Sequence, residues 1–163
     1  MNTRTERDHE AERLVYTYAD LILRVSYTYL KSTHDAEDIC QTVLIKLIGS
    51  AQTFQNAEHE RAWVIRATAN ACKDVLKSAR RRTSAPLEAA ATAAAPEPPD
   101  NAVLEAVMEL PEAFREALYL YYYEGYTARE IARMTDRNED AVHANLSRGR
   151  AKLRTLLEGD THE

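Results

Sequence analysis

Near the carboxyl end of the sequence, side chains that can bind nucleic acid share a predicted helix with a buried stripe. The stripe recurs at helical spacing and consists of Val142, Leu146, Leu153 and Leu157. The remaining faces of the helix carry His143, Asn145, Arg148, Arg150, Lys152 and Arg154. A side-chain amide can pair with the edge of an adenine, and a guanidinium can pair with a guanine or a phosphate. This helix is therefore of the kind that lies in the major groove of DNA.

The residues just before this helix predict a helix-turn-helix. Gly125 can end a preceding helix in the left-handed conformation, and Thr127 with Glu130 forms a capping box that starts a short helix at about Ala128. The apolar side of that short helix consists of Ile131, Ala132 and Met134. Residues 135–138 are polar and supply the turn. The alternative is an ordinary helical hairpin with a solvated basic face, because short patterns of this kind arise often.

Three longer helices are predicted in the amino-terminal half. The apolar stripe of the first consists of Leu14, Tyr18, Leu21, Ile22, Val25 and Tyr29. The second follows a cap at Ser32 or Thr33 and ends at Gly49 and Ser50, and its stripe consists of Ile39, Val43, Leu44, Leu47 and Ile48. The third runs from about Glu58 to Arg82, and its inward-facing residues are Trp63, Val64, Ala67, Thr68, Ala71, Cys72 and Val75. These patterns together predict an all-α protein.

Composition and charge limit what such a protein can do. Hydrophobic residues make up 45% of the 163 residues, which suffices for modest cores in one compact domain or two small ones. The net charge of −5 predicts weak autonomous affinity for DNA. Basic residues nevertheless cluster at 73–82 and at 148–154, and phosphates respond to such local clusters because salt screens charges beyond about 10 Å. A DNA-binding function would therefore need help from a partner.

No residue pattern indicates catalysis. The histidines are scattered, and neither a paired nucleophile, metal-ligand spacing nor a phosphate-binding loop is visible, so we expect no enzyme, no cofactor and no metal site. Cys40 and Cys72 lie within helical patterns, and we interpret both as small core residues. Residues 1–13 are polar, and no apolar run approaches the length of a membrane span. We expect a cytoplasmic protein that does not insert into a membrane.

Residues 83–102 divide the chain. This segment contains four prolines and a run of alanines, and it lacks a periodic apolar stripe, which predicts a semi-extended linker. A short, frayed alanine-rich helix is the alternative. Fully extended, the segment reaches at most about 65 Å. The predicted domains are therefore residues 1–82 and residues 103–163, joined by a flexible linker at 83–102.

Both halves resemble parts of one known family. The stretch from Asp35 to Gln41, the stretch from Trp63 to Asn70 and the basic run that follows Asp74 resemble region 2 of the extracytoplasmic-function (ECF) group of sigma-70-type RNA polymerase sigma factors. Residues 110–111 and 130–132, with Val142, Leu146, Arg148 and Arg150, resemble region 4 of the same group. The resemblance implies two small helical domains and a protein that directs the polymerase core to promoter DNA.

For region 2, the resemblance implies residues that bind the polymerase and residues that bind the −10 element. The implied polymerase-binding residues, at the acidic start of the second helix, are Asp35, Glu37, Asp38 and Gln41. Carboxylates there also stabilise a helix start without any partner, so that alternative stays open. The implied −10 residues are Phe54, Asn56, Trp63, Arg66, Asn70, Lys73, Lys77, Arg80 and Arg81. Asn70 offers a donor and an acceptor to an unpaired base, whereas Trp63 is either a core residue or a stacking platform.

In region 4 the chain departs from the family pattern. The implied −35 residues are Thr127, Arg129, His143, Asn145, Arg148, Arg150 and Lys152. Residues 140–145 lack two basic side chains that the family usually has, and Thr135 and Arg137 stand at turn positions that are usually apolar. Affinity for phosphates should be reduced. Whether an anti-sigma factor is a further partner stays open.

Two other classes of function remain. A simple helix-turn-helix repressor or activator would leave the acidic and basic features of the first half unexplained, and it usually needs a dimer to span two half-sites. An interaction protein with a sigma-like shape and impaired DNA reading would explain the acidic residues around the turn. Transcription with purified core polymerase separates these classes, because only a sigma factor makes the core polymerase start specific transcripts.

Overall fold

The computed structural model describes residues 3–50, 52–82 and 102–160. Within these ranges the regular structure is helical and contains no strand. The chain divides into two compact units, Met1–Ala93 and Ala94–Glu163. The linker predicted for residues 83–102 lies outside the described residues except for Ala102, which begins a helix. Among the described helices, none is long and apolar enough to cross a membrane.

The first unit is built from α1 (Arg4–Leu30), α2 (Thr33–Gly49) and α3 (Ala57–Arg82). A capping box starts α1, in which the Thr3 hydroxyl accepts from the backbone N–H of Glu6 and the Glu6 carboxylate accepts from the backbone N–H of Thr3. Lys31 ends α1 in the left-handed conformation, and Ser32 caps α2, as its sequence position predicted. The three helices pack against one another around one core.

The buried faces of α1, α2 and α3 were predicted with different success. All six stripe residues of α1 are buried. In α2, Ile39, Val43 and Leu47 are buried, but Ile48 is 45% exposed, so its place in the stripe was wrong. In α3, Val75 is exposed as well, and the most buried face includes Ile65 and Ala69, which the prediction left out. The reason is a shift of phase, since Trp63, Ala67 and Ala71 lie at the edge of the buried face and not at its centre.

The second unit comprises α4 (Ala102–Met108), α5 (Glu112–Leu118), a π-helical turn (Tyr119–Tyr123), α6 (Ala128–Thr135) and α7 (Glu139–Asp160). Gly125 has φ +77°, the left-handed conformation predicted for it, and the capping box of Thr127 and Glu130 starts α6 as predicted. Thr135 belongs to α6 and is buried, so the turn is shorter than predicted and spans residues 136–138.

The core of the second unit lies where α7 crosses α4, α5 and α6. Val142 and Leu146 are buried as predicted, whereas Leu153 and Leu157 are only half-buried. Gly149 is buried at the crossing with α5, where a β-carbon would lie 3.0 Å from a methyl carbon of Leu118. A larger residue at this position would require the side chains of Leu118 and Phe114 to shift by a few tenths of an ångström.

Candidate polymerase-binding and promoter-binding surfaces

The predicted polymerase-binding residues occupy the exposed face of α2. The backbone N–H of Asp35 donates to the Ser32 hydroxyl at 3.2 Å, so the helix cap uses the backbone of Asp35 and not its carboxylate. The side chains that stay exposed are those of Asp35, Glu37, Asp38 and Gln41. Near them, His34 Nε2 lies 3.8 Å from a carboxylate oxygen of Asp38.

Two isoleucines extend this face, and sequence reasoning did not assign them to it. Ile45 is 70% exposed and Ile48 is 45% exposed. With Asp38 and Gln41 they follow a spacing of three and four residues, which places all four along one side of α2. A polar and then apolar stripe of this kind suits contact with a helix of another protein. The exposed position of Ile45 was readable from the sequence, because it falls outside the apolar stripe.

The predicted −10 residues on α3 share one face. Residues 63, 66, 70, 73, 77 and 80 follow the same spacing of three and four along an unbroken helix. Trp63 stands at the start of this row, half-buried, and the exposed Asn70 is near its middle. The carboxyl-terminal part of the face carries Lys73, Lys77 and Arg80, with Arg81 beside it. This face presents an amide between an aromatic ring and a basic run, an arrangement that suits single-stranded DNA.

The loop before α3 is held in place by aromatic and polar contacts. The ring of Phe54 meets Trp63 edge-on at a centroid distance of 5.8 Å and meets His59 at 5.4 Å. The Asn56 side-chain oxygen accepts from the backbone N–H of His59 at 2.8 Å and so helps to start α3. Phe54 and Asn56 both line a cavity of about 420 Å³ next to α1 and α3, large enough for a single base. The cavity is also lined by Glu10, Arg13 and Glu60.

Those charged residues form a network that ties α1 to the start of α3. Arg13 donates to both carboxylate oxygens of Glu60, at 3.2 and 2.9 Å, and also to Glu10, and the Tyr18 hydroxyl donates to Glu60 at 2.6 Å. The hydrogen bond from Arg13 lowers the pKa of Glu60 from its usual value of 4.5. Burial and the bond to Glu60 together raise the pKa of Tyr18. Glu60 is therefore held in this network as an anion by Arg13 and Tyr18.

In the second unit, an ion pair anchors the turn of the helix-turn-helix. Arg137 Nε donates to Glu116 Oε1 at 2.8 Å, and the Glu116 side chain is only 1% exposed. Asp136 takes the left-handed conformation with φ 57°, and the Asn138 side chain accepts from the backbone N–H of Ala141. Arg137 and Thr135, the polar residues at positions that are usually apolar, thus have structural roles, since the Thr135 hydroxyl donates to the carbonyl of Ile131. The turn is thus anchored by an ion pair to a buried carboxylate.

Helix α7 divides the predicted −35 residues between two flanks. At 100° per residue, His143 and Arg150 lie on one side of the helix, and Asn145, Arg148 and Lys152 lie on the opposite side. The crest between the two flanks, opposite the buried stripe, consists of Asp140, Ala144, Ser147 and Ala151. A helix in a major groove turns its crest toward the bases and its flanks toward the two phosphate backbones. The small and acidic crest offers few groups for reading base edges.

One flank also contributes to a groove of about 310 Å³ in this unit. The groove brings together four of the predicted −35 residues, which are Thr127, Arg129, His143 and Arg150. Glu139 lies in the same groove, with a carboxylate oxygen 3.6 Å from His143 Nε2. Tyr121 lines the groove too, and the hydroxyl of the neighbouring Tyr122 accepts a hydrogen bond from Arg150 Nε at 2.7 Å. Sequence reasoning missed both tyrosines, although the run of tyrosines at residues 119–123 was a visible signal.

Comparison with known proteins agrees with this two-unit arrangement. Residues 14–82 match the family described as Sigma-70 region 2, and residues 100–153 match the family described as Sigma-70, region 4. The chain is 31% identical to the ECF RNA polymerase sigma factor SigE of Mycolicibacterium smegmatis, over 90% of this chain and 61% of that protein. It is 30% identical to the RNA polymerase sigma factor CarQ of Myxococcus xanthus, over 75% of this chain and 74% of CarQ. The fold is similar to that of the sigma factor RpoE of Bartonella quintana, solved with the anti-sigma factor NepR, with a TM-score of 0.72 at 17% identity over 90% of this chain and 96% of that one.

These matches, in the order expected for the two regions, define a sigma-70-type protein with regions 2 and 4. The chain belongs to the ECF group of the sigma-70 family. It spans 61% of the length of the SigE relative.

Proposed function

We propose that this chain is a sigma factor that brings bacterial RNA polymerase core to specific promoters and starts transcription there. The observation that carries the proposal is the presence of both regions, each with the surface that its role needs. The first unit offers an exposed acidic face on α2 and the row of predicted −10 side chains on α3, and the second offers a helix-turn-helix with basic flanks on α7. The chain would act by binding, with RNA synthesis left to the polymerase.

In this proposal each surface has its own task. The exposed face of α2 docks on the polymerase core, and its carboxylates meet basic residues of the partner. The row on α3 and the loop at residues 52–56 hold the melted strand of the −10 element, with one base in the adjoining cavity. The flanks of α7 contact the phosphates of the −35 element. The proposed place of action is the cytoplasm, where the polymerase core is found, and an anti-sigma factor is proposed as a regulatory partner by analogy with RpoE.

Transcription from purified components tests the proposal. Core polymerase alone and core polymerase with this chain would be incubated with a library of genomic fragments, and the 5′ ends of the transcripts would be sequenced. We expect transcripts with shared upstream elements only when the chain is present. Transcripts that start at the same sites without the chain, or none that depend on it, would rule out a sigma function.

A second candidate is an interaction protein that keeps the sigma shape but has lost DNA reading by its second unit. The acidic start of α7 favours it, because Glu139 and Asp140 are exposed where the helix would approach DNA. The two candidates differ in the effect of Arg148→Ala. A sigma factor that contacts a phosphate through Arg148 should lose about one unit from the salt slope of promoter binding, whereas the interaction protein should lose nothing.

A further inference from the structure

Arg150 is held by aromatic rings, whereas Arg13 and Arg137 are held by carboxylates. Arg13 and Arg137 are paired with carboxylates, so their charge is neutralised within the fold. Arg150 contacts two aromatic rings among the described residues, with its guanidinium carbon 5.6 Å from the ring centres of Tyr121 and of Tyr122. Its Nε donates to the Tyr122 hydroxyl at 2.7 Å. The side chain is therefore fixed in place while its positive charge remains available.

The two tyrosines are presented by a rigid turn. The π-helical turn at Tyr119–Tyr123 places Tyr121 and Tyr122 next to each other at the surface, with their rings edge-on and 4.9 Å apart. Tyr119 and Tyr123 stack at 5.5 Å, and the Tyr119 hydroxyl donates to Glu124 at 2.7 Å, so the turn is held from its inner side. A π-helical turn inserts one extra residue and so re-aims side chains, a feature often found at functional sites.

The charged residues around Arg150 indicate which kind of ligand its guanidinium would bind. It lines the groove with Arg129 and His143, and the one carboxylate in that lining, Glu139, lies beside His143. Because Nε is used by Tyr122, both terminal nitrogens of Arg150 are left to bind an anion with two oxygens. On the flank of α7, that anion is a backbone phosphate of duplex DNA.

We propose that Tyr121 and Tyr122 are positioning residues that hold the Arg150 guanidinium in the groove, where it binds a phosphate of the DNA backbone. This inference deepens the proposed function and rests on it for the identity of the DNA as a promoter. An arginine that is already ordered loses less side-chain entropy when it binds, so the tyrosines increase affinity without touching the DNA. The tyrosines thereby support a phosphate contact in a unit whose α7 crest offers few groups for reading base edges.

Binding of the full chain to a fluorescent DNA duplex at low salt tests the inference without polymerase. Tyr122→Phe keeps the ring and removes the hydroxyl, and it should weaken binding roughly three- to tenfold, the size of the net contribution of one ordinary hydrogen bond. Tyr123→Phe is the matched control, because Tyr123 stacks on Tyr119, whereas the cation–π contacts and the tyrosine hydrogen bond of Arg150 are made with Tyr121 and Tyr122. It should bind as the wild type does. Melting curves of each variant should coincide with that of the wild type.

A double-mutant cycle and the salt slope distinguish positioning from a general structural effect. Tyr122→Phe should have no effect in an Arg150→Ala background, because the residue that it positions is gone. Arg150→Ala should lower the salt slope by about one unit, whereas Tyr122→Phe should leave the slope unchanged because the phosphate contact is still made. The inference would be overturned if the effects of Tyr122→Phe and Arg150→Ala on binding were additive. It would also be overturned by an Arg150→Ala variant that binds normally or by a wild-type chain that binds no duplex. Transcription assays report separately on the proposed function, so either idea can fail alone.

Discussion

Removal of Arg137 should destabilise the second unit far more than removal of an exposed arginine nearby. Arg137→Ala would leave the Glu116 carboxylate, 1% exposed, without the guanidinium 2.8 Å away. Losing one partner of a fully buried pair costs about 3 to 5 kcal/mol. The Arg137 side chain is 30% exposed, so water can take part of its place, and Glu116 keeps further contacts. We therefore expect a loss of about 2 to 3 kcal/mol, below the full buried-pair figure.

The measurement can separate the two units within the intact chain. Trp63 is the only tryptophan and lies in the first unit, so its fluorescence reports on that unit, whereas far-ultraviolet circular dichroism reports on both. For a domain of this size, the expected loss corresponds to a fall in Tm of roughly 10 to 20 °C. The fall should be visible in the dichroism of the second unit and absent from the tryptophan signal.

Two further variants test whether the Arg137–Glu116 pair anchors the turn. Arg133→Ala is the control, because Arg133 is an exposed arginine on α6, and it should change stability by no more than about 0.5 kcal/mol. Replacing both Glu116 and Arg137 with Met should recover part of the lost stability, because it removes the buried carboxylate together with the guanidinium that neutralises it, although the further contacts of both residues are lost as well. An Arg137→Ala variant that melts with the wild type, or a double variant no better than the single one, would show that the pair does not anchor the turn.

Other predictions address the first unit. Replacing Asp35 and Asp38 with Lys should weaken binding to core polymerase in a fluorescence titration by inverting the charge of the α2 face, while duplex binding by the second unit should persist. Asn70→Ala should reduce open-complex formation by roughly 1 to 3 kcal/mol at unchanged core affinity, and permanganate footprints that stay unchanged would remove Asn70 from the −10 surface. The bond from Arg13 lowers the pKa of Glu60, so its contribution to stability is present above pH 4.5 and is lost as the pH falls through its folded-state pKa. Glu60→Gln should therefore be less stable than the wild type at neutral pH and should lose less stability on acidification, as followed by urea unfolding with Trp63 fluorescence.

Local signals in the sequence predicted local structure well. The capping box at Thr127, the left-handed Gly125 and the buried stripe of α1 are all confirmed, because each depends on neighbouring residues and on a helical period. The pairing of Arg137 with Glu116 joins residues 21 positions apart on different helices, and no periodicity encodes such a contact. The phase error in α3 has a similar origin, since the sequence defines an apolar side but not which part of it faces α1 and α2. The candidate DNA-binding residues of α7 came from the helix pattern, the polymerase-binding residues and most of the −10 residues came from the family resemblance, and the arrangement of Arg150 with the tyrosines required the structure.

The charge of the chain and the geometry of α7 together explain how a weak DNA-binding unit can still serve a sigma factor. Residues 103–163 carry a net charge of −4, and the crest of α7 presents two alanines and an aspartate where base-reading side chains would be needed. Such a unit should bind DNA poorly when it meets DNA by diffusion alone. Once core polymerase and the first unit hold a promoter, residues 83–102 keep the second unit within at most about 65 Å, so each phosphate contact acts at a high effective concentration. Under the proposed function, we expect discrimination between promoters to rest mainly on the first unit, with the basic flanks of α7 adding affinity more than specificity.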